Sequence, residues 1–475
     1  MTARARRATG LIKLSTDSAK PLSHQLADTL RRLIIEGIWI KDDKLPGSRT
    51  IAADAHVSRN TVNAALEILT SEGMLESRGR SGLFVIWKHA PREQRNIADA
   101  KPEMRAHQPL ALDAMPLELF PLDVWKRLKS RYWSRASTTS LAPDSPLGAR
   151  PLRDAIAVLV NITAGISCNV DQVIVVSGLR DALALSKAAL GQENLAAWIE
   201  DPAHKCTRAA VRAAGIGAVS VPVDSQGLSV DTAASIGADA KMAIVRPVFQ
   251  FPTGVSLSQA RAQDLLDWSS AKGLLVIEDA TESEFSFSKR AVRSLTAMET
   301  GTVAHFNTFA GTMFPSLGLG YLVVPNKLVE AFHRSRNELR ESAPAAMQIV
   351  LAEFINAGHF AKHVRKLREI AEQRQSALLA ALARVSSLPA PERQLGGLHV
   401  CARLNAGDSD TLIGDRAAAA GIDVAPLSAM YARRPASQGM VMGFAAFDPQ
   451  EISQAVDTLA RLLPHATSPE FGTSY

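Results

Sequence analysis

Leu45 to Ile86, LPGSRTIAADAHVSRNTVNAALEILTSEGMLESRGRSGLFVI, is the stretch around which the other parts of the 475-residue chain are arranged. Ser48 has the chemistry of a helix N-cap, and Ile51, Ala52 and Ala55 form a small apolar stripe, which predicts a short helix over Arg49 to Ala55. His56 and Val57 break it. Ser58 then caps a second helix in which Val62, Ala65, Leu66 and Leu69 recur at helical spacing, while Arg59, Asn60 and Thr61 take its exposed first turn. That helix stops at Gly73. Met74 to Ser77 and Leu83 to Ile86 read as two short strands flanking the basic loop Arg78-Gly79-Arg80-Ser81-Gly82. Two short helices, a tight turn and a hairpin wing make a winged helix-turn-helix whose second helix is the recognition helix.

The first turn of a recognition helix is the part that reaches base edges, and Arg and Asn have bidentate geometry for guanine and adenine. Arg49, Arg59 and Asn60 are therefore the candidates for base or phosphate contacts, and Arg78, Arg80 and Gly82 lie where a wing can meet phosphates or the minor groove. This stretch, from Pro21 to about Trp87, resembles the DNA-binding domain of GntR-type bacterial regulators. The resemblance implies DNA contacts at Ser48 and Arg49, from the family's L-P-S-S-R motif, and at Ser58, Arg59 and Thr61, from its S-R-x-T helix start. Gly47 departs from the family, where a serine is usual.

The chain is too long for a DNA-binding module alone, and 47% apolar residues can fill large cores. The net charge of +6 is unevenly placed: Met1 to Lys88 hold 14 Lys and Arg against 9 Asp and Glu, and the remainder 39 against 38. The basic surplus thus travels with the helix-turn-helix, as a polyanionic partner requires. Arg4, Arg6 and Arg7 supply part of it from a tail, residues 1–20, that is either a DNA contact or a solvated end. Cys168, Cys206 and Cys401 have no metal-ligand spacing and read as reduced thiols of a cytoplasmic protein. No apolar run has the length of a membrane span, and the N-terminus lacks the apolar core of a secretory leader.

Pro21 to Gly37 places Leu22, Leu26, Leu30, Leu33 and Ile34 on one helical face, a first helix packing behind the other two and completing a domain over 21–88. Residues 89–109 carry prolines and many charges without periodicity, which marks a linker. From 110 to 475 the pattern becomes α/β. Apolar runs at Gln172 to Val176, Ala196 to Ile199, Met242 to Val245 and Leu274 to Ile277 alternate with helical patterns at Leu152 to Val160, Asp181 to Leu190 and Ser258 to Ser270. A mostly parallel sheet with helices on both faces follows, and ligands of such sheets sit beyond the carboxyl ends of the strands.

In chain order, DSPLGARPLRDAI, CNVDQVIVVSG, WIEDP, FQFPTG, VIED followed by SEF, FPSLGLGYLVVP and GFAAFDPQEISQAV resemble fold-type I aminotransferases, in the form fused to a GntR-type head in MocR-type regulators. The resemblance, from about Pro109 to Leu463, implies an α/β large domain with a small C-terminal α+β subdomain at about 340–463. It also implies a pyridoxal phosphate site that this chain alters. Where the family reads T-F-S-K-T-L-x-P-x-L-R-L-G-Y the chain reads TFAGTMFPSLGLGY, so Gly311 takes the place of the Schiff-base lysine, Ala310 that of the serine and Gly318 that of the arginine. Asp279 keeps the place of the pyridinium partner, though an Asp at a strand end also caps the following segment. Ala280-Thr281 replaces an Asp-Tyr pair, and His204 stands where a tyrosine stacks on the ring, where it is either a stacking residue or a polar surface group. Lys289, in SFSK, reads as a solvated loop lysine.

Without the lysine there is no internal aldimine and no amine at the substrate carbon. The cleft, with Ser177, Gly178, Arg180, Arg246 and Asp279 around it, is left to another small molecule, to pyridoxal phosphate held without a covalent bond, or to nothing. The expected protein is a DNA-binding transcription regulator, a homodimer by family resemblance, whose aminotransferase-like domain is catalytically inactive and binds an effector that biases the small subdomain. Its rivals are an active aminotransferase using another lysine and a ligand-independent DNA-binding dimer.

Overall fold

The computed structural model describes residues 14, 20–87, 108–141, 145–288, 294–298, 301–340, 343–391, 394–433 and 435–463, apart from the side chains of Arg80, Thr139 and Leu141. Arg4, Arg6, Arg7, Lys289 and nearly all of the expected linker lie outside them. The chain divides into two compact units, Met1–Met104 and Arg105–Tyr475.

In the first unit three helices, Leu22–Ile35, Ser48–Asp54 and Arg59–Ser71, precede an antiparallel hairpin of β1 (Leu75–Ser77) and β2 (Leu83–Val85), in the register Leu75 to Val85 and Ser77 to Leu83. Their apolar stripes meet in one core in which Leu26, Leu30, Ile34, Trp39, Ile51, Val62, Leu69 and Val85 are buried. Each such side chain contributes about 1.5–3 kcal/mol by leaving water. His56, between the second and third helices, takes a left-handed conformation (φ 53°) that lets the chain turn within a few residues.

One capping assignment is corrected. Ser48 is the first helical residue and its side chain caps nothing; Gly47, extended at φ −61° and ψ 150°, is the N-cap, its carbonyl accepting from the Thr50 and Ile51 N–H groups. Ser58 does cap the third helix, its Oγ accepting from the Thr61 N–H at 3.1 Å.

The second unit holds an eight-stranded sheet in the order β3-β10-β9-β8-β7-β4-β5-β6, from β3 (Val173–Val176), β4 (Ala196–Asp201), β5 (Gly217–Asp224), β6 (Gly227–Leu228), β7 (Met242–Val245), β8 (Leu275–Asp279), β9 (Val303–Thr308) and β10 (Gly320–Val323). Strands β5, β4, β7, β8 and β9 pair in parallel, while β10 runs antiparallel to both β9 and β3. Strand β3 therefore points the same way as β9. Central strands are buried on both faces: in β3, Val173 and Val175 enter one core while Ile174 and Val176 enter another. This is the period of two that a sheet covered by helices on both sides imposes. The sheet thereby brings the segments after β3, β4, β7, β8 and β9 to one edge.

A second sheet, β11 (His399–Arg403), β13 (Gly439–Gly443) and β12 (Ala425–Pro426), is antiparallel. It shares a core with the helices His359–Leu382, Asp410–Ala419 and Pro449–Leu462, and forms the small α+β subdomain. Among the described residues, no helix is long and apolar enough to cross a membrane.

Candidate functional site

In the first unit, the Ser58 cap fixes the start of the recognition helix with Arg59 and Asn60 exposed and Thr61 half-buried behind them. With the Thr61 N–H taken by Ser58, the leading N–H groups of Arg59 and Asn60 and the helix dipole point the same way, which suits a phosphate. Arg49 is exposed on the preceding helix and Ser48 half-buried at its start. Arg78 is differently disposed: its Nη2 lies 2.7 Å from Asp42 Oδ1, its Nε 3.2 Å from Glu76 Oε2, and its guanidinium 4.8 Å from the centre of the Phe84 ring. The wing arginine is held by its own domain. Gly82 follows the turn at φ 103°, a conformation that favours glycine, beside the aliphatic end of Lys44. Arg80 lies in the turn Gly79–Ser81, its side chain outside the described residues.

In the second unit the carboxyl edge of the sheet assembles Glu200, His204, Arg246, Phe251 and Asp279 around one small cavity. The space left between them is about 20 Å³, room for roughly one water molecule. Arg246, immediately after β7, lines this edge with its side chain 10% exposed. Its main-chain N–H reaches Glu200 Oε2 at 3.3 Å, and its Nη2 donates to the Thr281 carbonyl at 2.6 Å and lies 2.9 Å from Glu282 Oε2. Asp279 accepts the Thr281 N–H at 3.0 Å and so caps the turn after β8. His204 accepts the Cys206 N–H on Nδ1 at 3.1 Å, capping the helix Lys205–Ala213, with its ring edge-on to Phe251 at 4.7 Å.

Other expected cleft residues are not brought to this cavity. Ser177 and Arg180 are exposed, and Gly178, at φ 149°, leads into the helix Leu179–Leu190. Ser177 gives its main-chain N–H to Asp181 at 2.9 Å, and Asp181 is itself bound to the buried Arg336 at 2.7 Å. The carboxylate one turn into the helix outcompetes solvent for Ser177. Gly311 sits in the loop after β9 at ordinary φ, with no atom within 4 Å of the Cβ that another residue would carry there. The position accommodates a side chain and carries no amine.

The electrostatics follow burial. Glu200 is pushed up to about 8 by burial, against the pull of Arg246, so it is a neutral acid at neutral pH. Burial holds His204 below the usual imidazole range and brings His399, of β11, down to about 4. His399 reaches into this edge from the small subdomain, with Nδ1 4.0 Å from Glu282 Oε2 and its ring 4.6 Å from Phe251. Glu282, Phe251 and His399 were not legible as members of the site. Glu282 lies one residue past Thr281, but only its left-handed backbone, φ 70°, turns it back toward Arg246.

A helix-turn-helix with an exposed, capped recognition helix, followed by a doubly covered sheet with a small C-terminal subdomain, defines a DNA-binding head joined to an aminotransferase fold. The chain belongs to the class I and II aminotransferase family, whose model matches residues 117–459, and residues 22–85 match the gntR family of bacterial regulatory proteins. It is 28% identical over 471 residues to the probable rhizopine catabolism regulatory protein MocR of Rhizobium meliloti, covering 94% of this chain and 95% of that protein. It is 26% identical to the pyridoxine biosynthesis transcriptional regulator PdxR of Corynebacterium glutamicum, over 94% and 98% of the two chains. The fold of the second unit is that of the multiple substrate aminotransferase from Thermococcus profundus (TM-score 0.68, 22% identity, 76% of this chain and 92% of that chain). This is the architecture of helix-turn-helix transcription regulators with an aminotransferase-like domain, and the chain is a DNA-binding regulator of that kind.

Proposed function

We propose that the protein is a cytoplasmic homodimer that reads an operator through two copies of its head, and that its aminotransferase-like unit carries out no transamination. The observation that carries this reading is Gly311 in the loop after β9, where the resembled family places its Schiff-base lysine, in a chain whose recognition helix keeps Arg59 and Asn60 free for bases. Pyridoxal phosphate supplies an electron sink for carbanions, and it needs an amine, a carboxylate for its ring nitrogen, an aromatic to stack on and phosphate donors. The residues present do not fit it. The amine is missing at residue 311, His204 is edge-on to Phe251 and caps a helix, and the remaining space is water-sized. The unit then serves pairing of the heads, which lets two recognition helices read two half-sites.

Selection of bound sequences from a random DNA pool with the full chain tests the reading. An enriched inverted repeat is expected, with Arg59→Ala relaxing base preference at one position of each half-site; a pool that shows no enriched sequence contradicts it.

A further inference from the structure

The missing lysine is not the only obstacle at the cofactor's place. Arg246 has a side chain only 10% exposed and is gripped by the Thr281 carbonyl and by Glu282. Thr281 stands where the resembled family has the phenol beside the cofactor ring, and Arg246 lines one cavity with Asp279 and His204, the positions of the ring-nitrogen partner and the stacking residue. Glu282, its counter-ion, is held at φ 70°, which non-glycine residues rarely adopt, and faces His399 of the small subdomain. The guanidinium thus shares one small cavity with the two positions that the resemblance assigns to the cofactor ring, and it brings a fixed positive charge to the surroundings of Asp279. Gly311, by contrast, stands in open space at ordinary φ. The anchor point is free, and the bed is taken.

We propose that the Arg246–Glu282 pair is a built-in plug of the cofactor place, so that a lysine restored at position 311 does not by itself let the protein hold pyridoxal phosphate, whereas clearing Arg246 as well does. This rests on the reading of the unit as a non-catalytic part of a regulator and says what keeps it so: an internal cation in place of the cofactor. An ordinary loss of the lysine leaves an empty bed that a single reversion refills. A plug does not.

The test uses the full-length chain as wild type, Gly311→Lys, and Gly311→Lys with Arg246→Ala, each incubated with pyridoxal phosphate, desalted, and measured by absorbance and by borohydride reduction with peptide mass mapping. Gly311→Lys is expected to retain little cofactor, and the double variant at least about tenfold more, fixed at residue 311. Because Arg246→Ala leaves Glu282 without its partner, a second variant adding Glu282→Ala removes both charges and serves if the first does not fold by circular dichroism. A stoichiometric adduct in Gly311→Lys alone overturns the proposal, and so does a folded plug-free variant that retains no more than Gly311→Lys. DNA binding by the wild type in the same preparations separates the two readings: its failure contradicts the regulator and leaves the cofactor result standing.

Discussion

Arg246 Nη2 lies 2.9 Å from Glu282 Oε2, with the two side chains 10% and 20% exposed, and this pair joins the segment after β7 to the segment after β8. Removing either partner strands the other in a poorly solvated place, and removing both does not. A double-mutant cycle of Arg246→Ala and Glu282→Ala, followed by denaturant unfolding, is expected to give a coupling of about 1–3 kcal/mol. Strictly additive losses would show that the two do not interact.

Arg336 is fully buried and bonds Asp181 at 2.7 and 3.1 Å, with further bonds to the Pro146 and Val175 carbonyls. Asp181→Ala leaves that guanidinium without its counter-ion and Ser177 without its acceptor. A loss of about 3–5 kcal/mol in the unfolding transition of the aminotransferase-like unit is expected; a loss below about 1 kcal/mol would mean that solvent reaches the site.

Two buried carboxyls set opposite pH dependences. Burial pushes Glu278 up, but hydrogen bonds from His305, Ser294 and Thr296 more than offset this and hold it at about 2, below the ordinary 4.5. Its stabilisation is therefore present above 4.5 and lost as the pH falls toward 2. Glu200, raised to about 8, does the reverse: the folded state holds a proton that the unfolded state releases above 4.5, so stability declines as pH rises through 8. Thermal unfolding across this range is expected to show a shallower acid-side loss in Glu278→Gln, which is less stable at neutral pH. Glu200→Gln should be more stable than wild type on the alkaline side, the slopes differing by at most about 1.4 kcal/mol per pH unit. A Glu200→Gln profile parallel to wild type would contradict the buried neutral acid.

On the head, Arg59→Ala and Asn60→Ala are each expected to relax base preference at one operator position by about 1–3 kcal/mol, measured by fluorescence anisotropy on matched and mismatched sites. Arg78→Ala is expected to cost less, because Asp42 and Glu76 already hold the guanidinium. A larger loss from Arg78→Ala than from Arg59→Ala would show that the wing dominates recognition.

The head was almost wholly legible in the sequence because its signals are local. A cap at Ser58, an apolar stripe at Val62, Ala65, Leu66 and Leu69, and a stop at Gly73 need only neighbouring residues to act. Ser48 is the first helical residue and not the cap because the extended backbone of Gly47 sets the helix start one residue earlier, which the capping chemistry of serine does not reveal. Strands β3, β4, β7 and β8 were legible as buried apolar runs, whereas the half-exposed β5 was not; the strand order was not legible either, since β10, which follows β9 in the chain, also pairs with the remote β3. At the cleft, positions could be aligned while contacts could not. That Arg246 turns onto the Thr281 carbonyl and Glu282, and that Asp181 captures Ser177, depend on loop conformations and on partners such as Arg336 that lie 155 residues away.

On the function proposed above, the aminotransferase fold serves a DNA-binding regulator without Schiff-base chemistry. The most direct measurement is the intact mass of the wild-type chain after incubation with equimolar pyridoxal phosphate, borohydride reduction and desalting. An unchanged mass is the expected result; a stoichiometric gain of one reduced pyridoxyl group on a single lysine would contradict the account.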